Sequence, residues 1–307
     1  MIKYYFTENN RIIEADSFKP GCWINVVDPS DAEVKHIVES FDLLADYVRA
    51  SLDEEESSRV EKEERDTLIL IDTPIMAKNE ENNTYYTIPL GIIYCDECVI
   101  TISTKPVPAL ADIYQNKVRD CNTNFKTNFI FKIMLRVAAN FLLDLKQIDR
   151  TSNQIEKKLR ESMKNTNLIQ LLEINKSLVY FSTALKSNTI TLRKVSGGRY
   201  IKLYEEDQEL LDDVLIEFNQ AEEMTSIYLN ILSGTMDAFA SIISNNLNIV
   251  MKRLASITII IGVPTVITGA YGMNVPDLPF SFFWFPMAVC MISMLAVSLL
   301  LWRKDLF

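Results

Sequence analysis

The feature that most constrains the fold of this chain is a pair of long uncharged stretches near its carboxyl end. About 23 residues from Leu254 to Pro276 carry no charge, and about 25 residues from Leu278 to Trp302 carry none. Each stretch exceeds the roughly 20 residues that a helix needs to cross a bilayer core. Helices are the expected spanning form, because lipid offers the backbone no hydrogen-bond partners. The predicted segments are a first span at 251–272, an outer loop at 273–281, a second span at 282–302 and a basic tail at 303–307.

Basic residues flank both spans and give the hairpin an orientation. Lys252 and Arg253 precede the first uncharged stretch, Arg303 and Lys304 follow the second, and the connecting loop has neither Lys nor Arg. The positive-inside rule then places both termini in the cytoplasm and the loop outside, as expected in a plasma (inner) membrane. We call these four residues the basic collar. They are expected to surround a pore entrance, to anchor the helices at lipid headgroups, or to do both.

One face of the first span carries small and polar residues, which we call the stripe. Its members recur at intervals of three or four residues, so they share one side of a helix. They are Asn248, Met251, Ala255, Thr258, Gly262, Thr265, Gly269 and Gly272. Two interpretations remain open at this point: close packing against another helix, or the lining of a water-filled path in a symmetric oligomer.

The composition narrows the class of protein. The chain has 307 residues and a net charge of −10, which argues against nucleic acid as a partner. We find no phosphate loop or nucleophile elbow, so we do not expect an enzyme. The five cysteines are expected to stay reduced. Cys95 and Cys98 form a lone CxxC, His36 is the only histidine, and a tight turn is favoured there over a metal site.

The residues before the spans predict two regions. Residues 1–125 alternate like short strands with two or three helices, as in an α/β domain. The dense charge run from Glu54 to Arg65 is expected to be a solvated, partly helical connector. Residues 126–250 are expected to form a helical stalk, with long helices at about 127–195 and 206–250. The pattern from Glu206 onward shows no breaker until Gly234, which lies mid-pattern. We therefore predict one continuous helix from about Glu206 to Gly272, about 100 Å long.

The end of the first span carries the sequence Tyr271-Gly272-Met273-Asn274. A Tyr-Gly-Met-Asn segment at the outer end of the first of two carboxyl-terminal spans resembles the CorA family of divalent-cation (magnesium) channels. The acidic α/β domain, the amphipathic approach to the membrane and the short basic tail fit the same family. The resemblance covers the whole chain and is strongest from about Leu210 onward. It implies an α+β cytoplasmic domain with a sheet between helical layers, a stalk helix, a membrane hairpin and a homopentamer.

The resemblance also implies roles for individual residues. Gly272, Met273 and Asn274 would form the selectivity filter for a hydrated cation, with Asn274 as the outer ring. Met251, Leu254 and Ala255 would form a hydrophobic constriction with Asn248 at its cytoplasmic end, although core packing is an alternative for Met251 and Leu254. The wider path would be lined by Thr258, Gly262, Thr265 and Gly269. Many family members have a longer acidic outer loop, whereas Asp277 is the only charge in this one.

Acidic residues at the start of the long helix are candidates for a regulatory metal site. Asp213 stands where the family has its sensor aspartate, and Asp212 and Glu209 lie beside it. Mg²⁺ bridging such carboxylates between subunits would hold the pore closed. The alternative is a solvated acidic helix start, which the helix dipole favours. The partner acid is left open among Asp72, Glu80 and Glu81.

The expected function is Mg²⁺ influx, with Co²⁺ and Ni²⁺ as further ions and Mg²⁺ both transported and regulatory. The expected partners are further copies of the chain, the lipid bilayer and divalent cations. A Zn²⁺ transporter of the same superfamily is one alternative. A membrane-anchored sensor or scaffold without conduction is another.

Overall fold

The computed structural model describes residues 1–63, 65–78, 83–162, 164–274, 280 and 282–304. They belong to two compact units, Met1–Ser233 and Gly234–Phe307, which we describe one at a time. The division falls inside the long helix α6 (Gln208–Tyr271). The predicted boundary between stalk and first span, at 250/251, lies within the second unit and stays a prediction.

A seven-stranded sheet forms the centre of the first unit. Its strands are β1 (Ile2–Glu8), β2 (Arg11–Ala15), β3 (Trp23–Val27), β4 (Arg59–Glu63), β5 (Asp66–Lys78), β6 (Asn83–Tyr94) and β7 (Val99–Ser103). Their order across the sheet is β2-β1-β3-β7-β6-β5-β4. The described pairings are antiparallel except that of β3 with β7. The strands of this sheet therefore come mostly from hairpins, which need only short connections.

Helices cover both faces of the sheet, as predicted. The helices of the unit are α1 (Asp31–Phe41), α2 (Ala45–Leu52), α3 (Pro108–Tyr114), α4 (Lys126–Glu161), α5 (Asn165–Val195) and the first part of α6. Ile37 of α1 and Val48 of α2 share one buried cluster with Ile24 of β3. On the opposite face, the Trp23 ring lies 5.3 Å from the Phe129 ring of α4. The alternation along β3 thus sends successive side chains into two separate cores.

The β5–β6 hairpin extends beyond its neighbours, and α5 supplies the missing hydrogen bonds. β4 pairs with β5 only as far as Leu70, so the backbone of Asp72 has no strand on that side. The side chain of Asn188 replaces the strand: its Oδ1 accepts from the Asp72 N–H and its Nδ2 donates to the Asp72 carbonyl, each at 2.8 Å. On β6, the Tyr85 N–H donates to Ser177 Oγ at 3.2 Å. These side chains thereby provide hydrogen-bond partners for the backbone of Asp72 on one edge of the hairpin and for the Tyr85 N–H on the other.

The prediction of a partly helical connector at Glu54–Arg65 is wrong, because the described residues of this run form a turn, irregular chain and a strand rather than a helix. Arg59–Glu63 is the edge strand β4, with Val60 buried. Charged residues are typical of edge strands, because they discourage pairing with other molecules. The charge run therefore marks an edge of the sheet rather than a solvated helix.

The second unit contains the end of α6 and the helix α7 (Trp284–Arg303). Both helices are long and apolar enough to cross a membrane, judged by length and composition. The prediction of one continuous helix from Glu206 to Gly272 is confirmed to within two residues, since a short 3-10 turn at Glu205–Asp207 leads into α6.

Candidate functional site

The Gly-Met-Asn segment directly follows the last residue of α6. The Gly272 N–H donates to the Thr268 carbonyl at 2.9 Å, which continues the helical pattern by one residue. The described glycines with positive φ are Gly21 and Gly198. Gly272 therefore does not adopt the left-handed conformation that is common at helix ends. A Cβ at this position would lie 3.2 Å from the Thr268 carbonyl oxygen, so a larger residue would press on the last turn. Met273 and Asn274 are exposed beyond it.

The upstream members of the stripe are all exposed in the chain. They are Asn248, Met251, Ala255, Thr258, Gly262, Thr265 and Gly269, and the neighbouring Leu254 is exposed as well. Met251 and Leu254 each keep 56% of their surface accessible. Packing within one chain therefore does not account for these two apolar side chains.

The covered side of α6 is the side away from the stripe. Ser256 is only 2% exposed and is the one buried residue between Met251 and Tyr271. The partly covered residues follow it at helical spacing: Ile260, Val263, Pro264, Ile267 and Tyr271. At about 100° per residue, this face is roughly opposite the stripe.

The other described helix of the unit, α7, contacts the covered side. The Tyr271 ring lies 6.4 Å from the Phe285 ring at the start of α7, and Cys290 of α7 is buried. The stripe is therefore not the surface on which the chain's own second span packs.

The threonines of this region direct their hydroxyl protons into their own helix. Thr258 Oγ1 donates to the Leu254 carbonyl at 2.8 Å, and Thr265 Oγ1 donates to the Ile261 carbonyl at 3.0 Å. A carbonyl oxygen only accepts, so the hydroxyl must be the donor in both bonds. The lone pairs of the hydroxyl oxygens remain available as acceptors on the exposed side.

The charged residues near the membrane ends are accessible where they are described. Lys252, Arg253, Arg303 and Lys304 are exposed. Along α6, Lys252 and Arg253 are remote from the Gly-Met-Asn segment. Along α7, Arg303 and Lys304 are remote from the end of the helix that contacts Tyr271. Asp277 lies outside the described residues.

The acids at the start of α6 occupy two environments. Glu209, Asp212 and Asp213 are exposed, and Gln208 Nε2 donates to Asp212 Oδ1 at 3.4 Å. Asp207 is only 5% exposed and accepts a hydrogen bond from Asn128 Nδ2 of α4 at 3.0 Å. Asp207 therefore fixes the start of the helix, whereas its neighbours remain free to meet an ion or another chain.

Asp72, a candidate for the partner acid, is largely enclosed. Its Oδ2 accepts from Ser58 Oγ at 2.8 Å, and burial raises the pKa of its carboxyl group. A carboxylate held between β4 and α5 is poorly placed to bridge to another subunit. Glu80 and Glu81 lie outside the described residues.

The part of the chain that the structure describes contains no group of three His, Cys, Asp or Glu side chains that could hold a metal ion. The CxxC segment forms a tight turn between β6 and β7, as predicted, with the Cys95 N–H donating to the Cys98 carbonyl at 3.1 Å. A hydrogen bond with Cys98, together with burial, raises the pKa of the Cys95 thiol. All five cysteines are free and buried.

Sequence reasoning missed three residues that position this site. Asn128 holds Asp207, Ser256 marks the covered side of α6, and Phe285 contacts the last residue of that helix. Ser256 alone had a signal in the sequence, because it is a small polar residue on the side opposite the stripe. The partners of the other two depend on tertiary packing.

Together the fold and the site define a two-span membrane protein with a large α+β domain before the membrane segments. The model of a family described as "CorA-like Mg2+ transporter protein" matches residues 19–304. The chain belongs to this family, which consists of transport proteins rather than enzymes.

Known proteins agree with this assignment. The "Cobalt/magnesium transport protein CorA" of Methanocaldococcus jannaschii is 27% identical over 291 residues, which are 92% of this chain and 90% of that protein. The complete structure of the CorA magnesium transporter from the same organism has a TM-score of 0.83 at 24% identity, covering 99% of this chain and 98% of that one. The ZntB cytoplasmic domain from Vibrio parahaemolyticus has a TM-score of 0.60 at 14% identity, over 80% of this chain and 96% of that one. At these identities the two structures support the fold alone.

Proposed function

We propose that this protein is a homopentameric channel that conducts Mg²⁺ into the cytoplasm across the plasma membrane, with Co²⁺ and Ni²⁺ as further substrates. Family membership and the name of the archaeal relative, a cobalt/magnesium transport protein, support the substrate class. The observation that carries the proposal is the stripe. It faces away from α7 and leads to the Gly-Met-Asn segment. Two spans of one chain cannot enclose a path, whereas a closed ring of copies can.

The outer end of the proposed path, at the Gly-Met-Asn segment, has a chemistry that suits a hydrated divalent ion. Mg²⁺ gives up its water reluctantly, so a channel that keeps the water shell needs acceptors of modest strength. The side-chain carbonyl of Asn274 supplies one acceptor per subunit. Helix ends that converge there add a partly negative field. The first span contains no carboxylate, which would bind the ion too tightly for rapid exit.

The inner part of the path combines a constriction with the stripe. Met251, Leu254 and Ala255 would narrow the path next to Asn248, and their exposure in the single chain leaves them available for contact around an axis. Thr258, Gly262, Thr265 and Gly269 would line the wider section. The basic collar would lie outside the path at its cytoplasmic end.

Regulation would depend on the exposed acids of α6. Mg²⁺ bound by Asp213, with Asp212 and Glu209 beside it, would neutralise carboxylates that otherwise repel one another between subunits. Since these residues and the stripe lie on the same continuous helix, a change at one end has a direct structural connection to the other. The closed state would thus be favoured when internal Mg²⁺ is high.

The decisive experiment is Mg²⁺ flux into liposomes containing the Asn274→Ala variant. We expect a loss of most of the flux, because the outer end of the path loses its side-chain acceptors. Asn230→Ala is the matched control, since Asn230 is an exposed asparagine of the same helix far from the segment. Its flux should equal that of the unmodified protein.

Two other outcomes would contradict the proposal. Mg²⁺ flux no higher than that of protein-free liposomes, in both the unmodified protein and Asn274→Ala, would favour a membrane-anchored sensor or scaffold. Zn²⁺ flux that Mg²⁺ does not compete with would favour a zinc transporter of the same superfamily.

A further inference from the structure

Three side chains meet where the long hairpin extends beyond β4, and they share too few protons. Ser58 Oγ lies 2.8 Å from Asp72 Oδ2 and 2.9 Å from Asn188 Oδ1. A hydroxyl has one proton to donate, whereas a carboxylate and an amide oxygen only accept. When Asp72 is ionised, two short oxygen–oxygen contacts must therefore divide a single proton.

The amide of Asn188 is not free to turn over and relieve this shortage. Its Oδ1 accepts from the Asp72 N–H and its Nδ2 donates to the Asp72 carbonyl, each at 2.8 Å. The opposite orientation would place Nδ2 against the N–H and Oδ1 against the carbonyl, so both bonds would be lost. The backbone of β5 thus fixes an acceptor, and not a donor, beside Ser58 Oγ.

Asp72 is the member of the three that can take up a proton. A neutral Asp72 donates to Ser58 Oγ, and Ser58 then donates to Asn188 Oδ1, so each short contact has its own proton. Burial raises the pKa of Asp72, and the hydrogen bond from Ser58 offsets only part of this rise. Because Asn188 competes for the same hydroxyl proton, it weakens that offset.

The charged groups on the elements around this carboxyl are engaged elsewhere or exposed. Arg59 of β4 pairs with Glu56 at 2.7 Å and with Glu61 at 2.8 Å. Lys186 of α5 is exposed, and the buried acid of α4, Asp144, acts on a tyrosine of β6. The direction of the pKa shift of the carboxyl therefore follows from burial and not from a neighbouring charge.

We propose that Asp72, Ser58 and Asn188 form a proton-binding site that fastens α5 to the edge of β5. Uptake of one proton by Asp72 in mild acid turns one divided hydrogen bond into a relay from Asp72 to Ser58 to Asn188. Release of the proton leaves a carboxylate enclosed between β4 and α5 and weakens this contact. The site concerns the fold of the first unit, so it stands or fails separately from conduction.

The sign of the pH dependence follows from proton linkage. The pKa of Asp72 in the folded protein lies above the ordinary value of 3.8. The contribution of the site to stability is therefore complete below that value, and it is lost as the pH rises through the pKa of the folded state.

Infrared spectra of the full chain in vesicles, recorded as the pH is lowered from neutral, test the proposal. Subtracting the spectra of Asp72→Asn from those of the unmodified protein isolates the band of this carboxyl group. We expect the band of the neutral acid to appear with a midpoint above 3.8. Asp16→Asn, the same change at an exposed position, is the control and should leave that band in place. A midpoint at or below 3.8 would overturn the proposal.

Thermal unfolding measures the contact itself. The amide introduced by Asp72→Asn donates to Ser58 Oγ at every pH, as the neutral acid does, so this variant should lose the part of the pH dependence that belongs to the site. We expect its gain in Tm over the unmodified protein to grow from pH 4 to pH 7.5, whereas Asp16→Asn should show no such growth. Asp72→Ser, whose hydroxyl replaces the acid, is a second neutral variant and should show the same trend. A difference in Tm that does not change with pH in either variant would overturn the proposal.

Discussion

Burial separates acidic residues that look alike in the sequence. Asp207 and Asp213 belong to one acidic run, yet Asp207 is enclosed and bonded to Asn128 while Asp213 is exposed. Asp144 of α4 shows the same effect more strongly. Burial alone raises the pKa of its carboxyl group to about 6, without a charged partner to offset the cost. A carboxylate of this kind lowers the stability of the fold at neutral pH.

We expect Asp144→Asn to stabilise the protein at pH 7.5 by about 3 kcal/mol, since burial raises this pKa from 3.8 to about 6 and one pKa unit corresponds to about 1.4 kcal/mol. The sign follows from proton linkage. Between about pH 4 and 6 the folded state retains a proton that the unfolded state has lost, so the free energy of unfolding falls as the pH rises. At pH 4 the folded state is protonated and the unfolded state is partly protonated, so most of the gain should be lost.

Thermal unfolding of the detergent-solubilised protein at the two pH values measures this difference. Asp149→Asn, which makes the same change of side chain on the same helix, is the control. An equal gain from Asp144→Asn at both pH values would mean that packing, and not ionisation, is responsible.

The long helices were the most predictable elements, and the edges of the sheet were the least. Apolar periodicity located α6, the start of α4 and the end of α5 to within a few residues. The single predicted range 127–195 did not mark the break between the end of α4 at Glu161 and the start of α5 at Asn165. The strand β4 was missed, because a charged edge strand lacks the alternation that identifies a half-buried one. The role of Asn188 has no signal in the sequence, since it depends on how far β5 extends beyond β4. The stripe can be identified from the sequence. The covered side of α6 can be identified only when the position of α7 is known.

We expect Asn188→Ala to lower the free energy of unfolding by about 2–4 kcal/mol. Asn188 is fully buried, and its amide bonds both backbone groups of Asp72. Its Oδ1 also lies 2.9 Å from Ser58 Oγ, whose single proton is shared between Asn188 and the Asp72 carboxylate. Alanine would leave these groups buried without partners. Denaturant unfolding followed by far-ultraviolet circular dichroism provides the measurement.

Asn153→Ala is the control for this change. Asn153 is exposed on α4, and its one described side-chain contact is to Asp149. Its substitution should cost less than about 0.5 kcal/mol. If Asn188→Ala cost no more than this control, the edge of β5 would not depend on the side chain.

At the level of the whole molecule, no described feature of a single chain determines the number of subunits. The stripe and the exposed acids are surfaces that a single copy leaves uncovered, and the proposed pentamer would use both. The inner surface would carry the ion, and the contacts between subunits would sense it. This arrangement predicts that regulation can be lost without loss of conduction.

We expect Asp213→Ala to raise Mg²⁺ flux when internal Mg²⁺ is millimolar and to change it little when internal Mg²⁺ is absent. In the proposed mechanism the substitution would remove a carboxylate that stabilises the closed state, and it would leave the path intact. Glu161→Ala, an exposed acid at the end of α4, is the control. Patch-clamp recording or liposome flux at several internal concentrations measures the effect, and an unaltered response to internal Mg²⁺ would remove Asp213 from the sensor.

The threonine hydroxyls of α6 have a consequence for the sign of the charge that can pass. Each O–H is already engaged by a carbonyl one turn earlier, so only oxygen lone pairs point outward. Water around a cation presents its hydrogens outward and finds acceptors on such a wall. Water around chloride presents its oxygens and finds no hydroxyl donor there. A path lined by these threonines therefore discriminates against anions through dipoles alone, with no fixed charge among its lining residues.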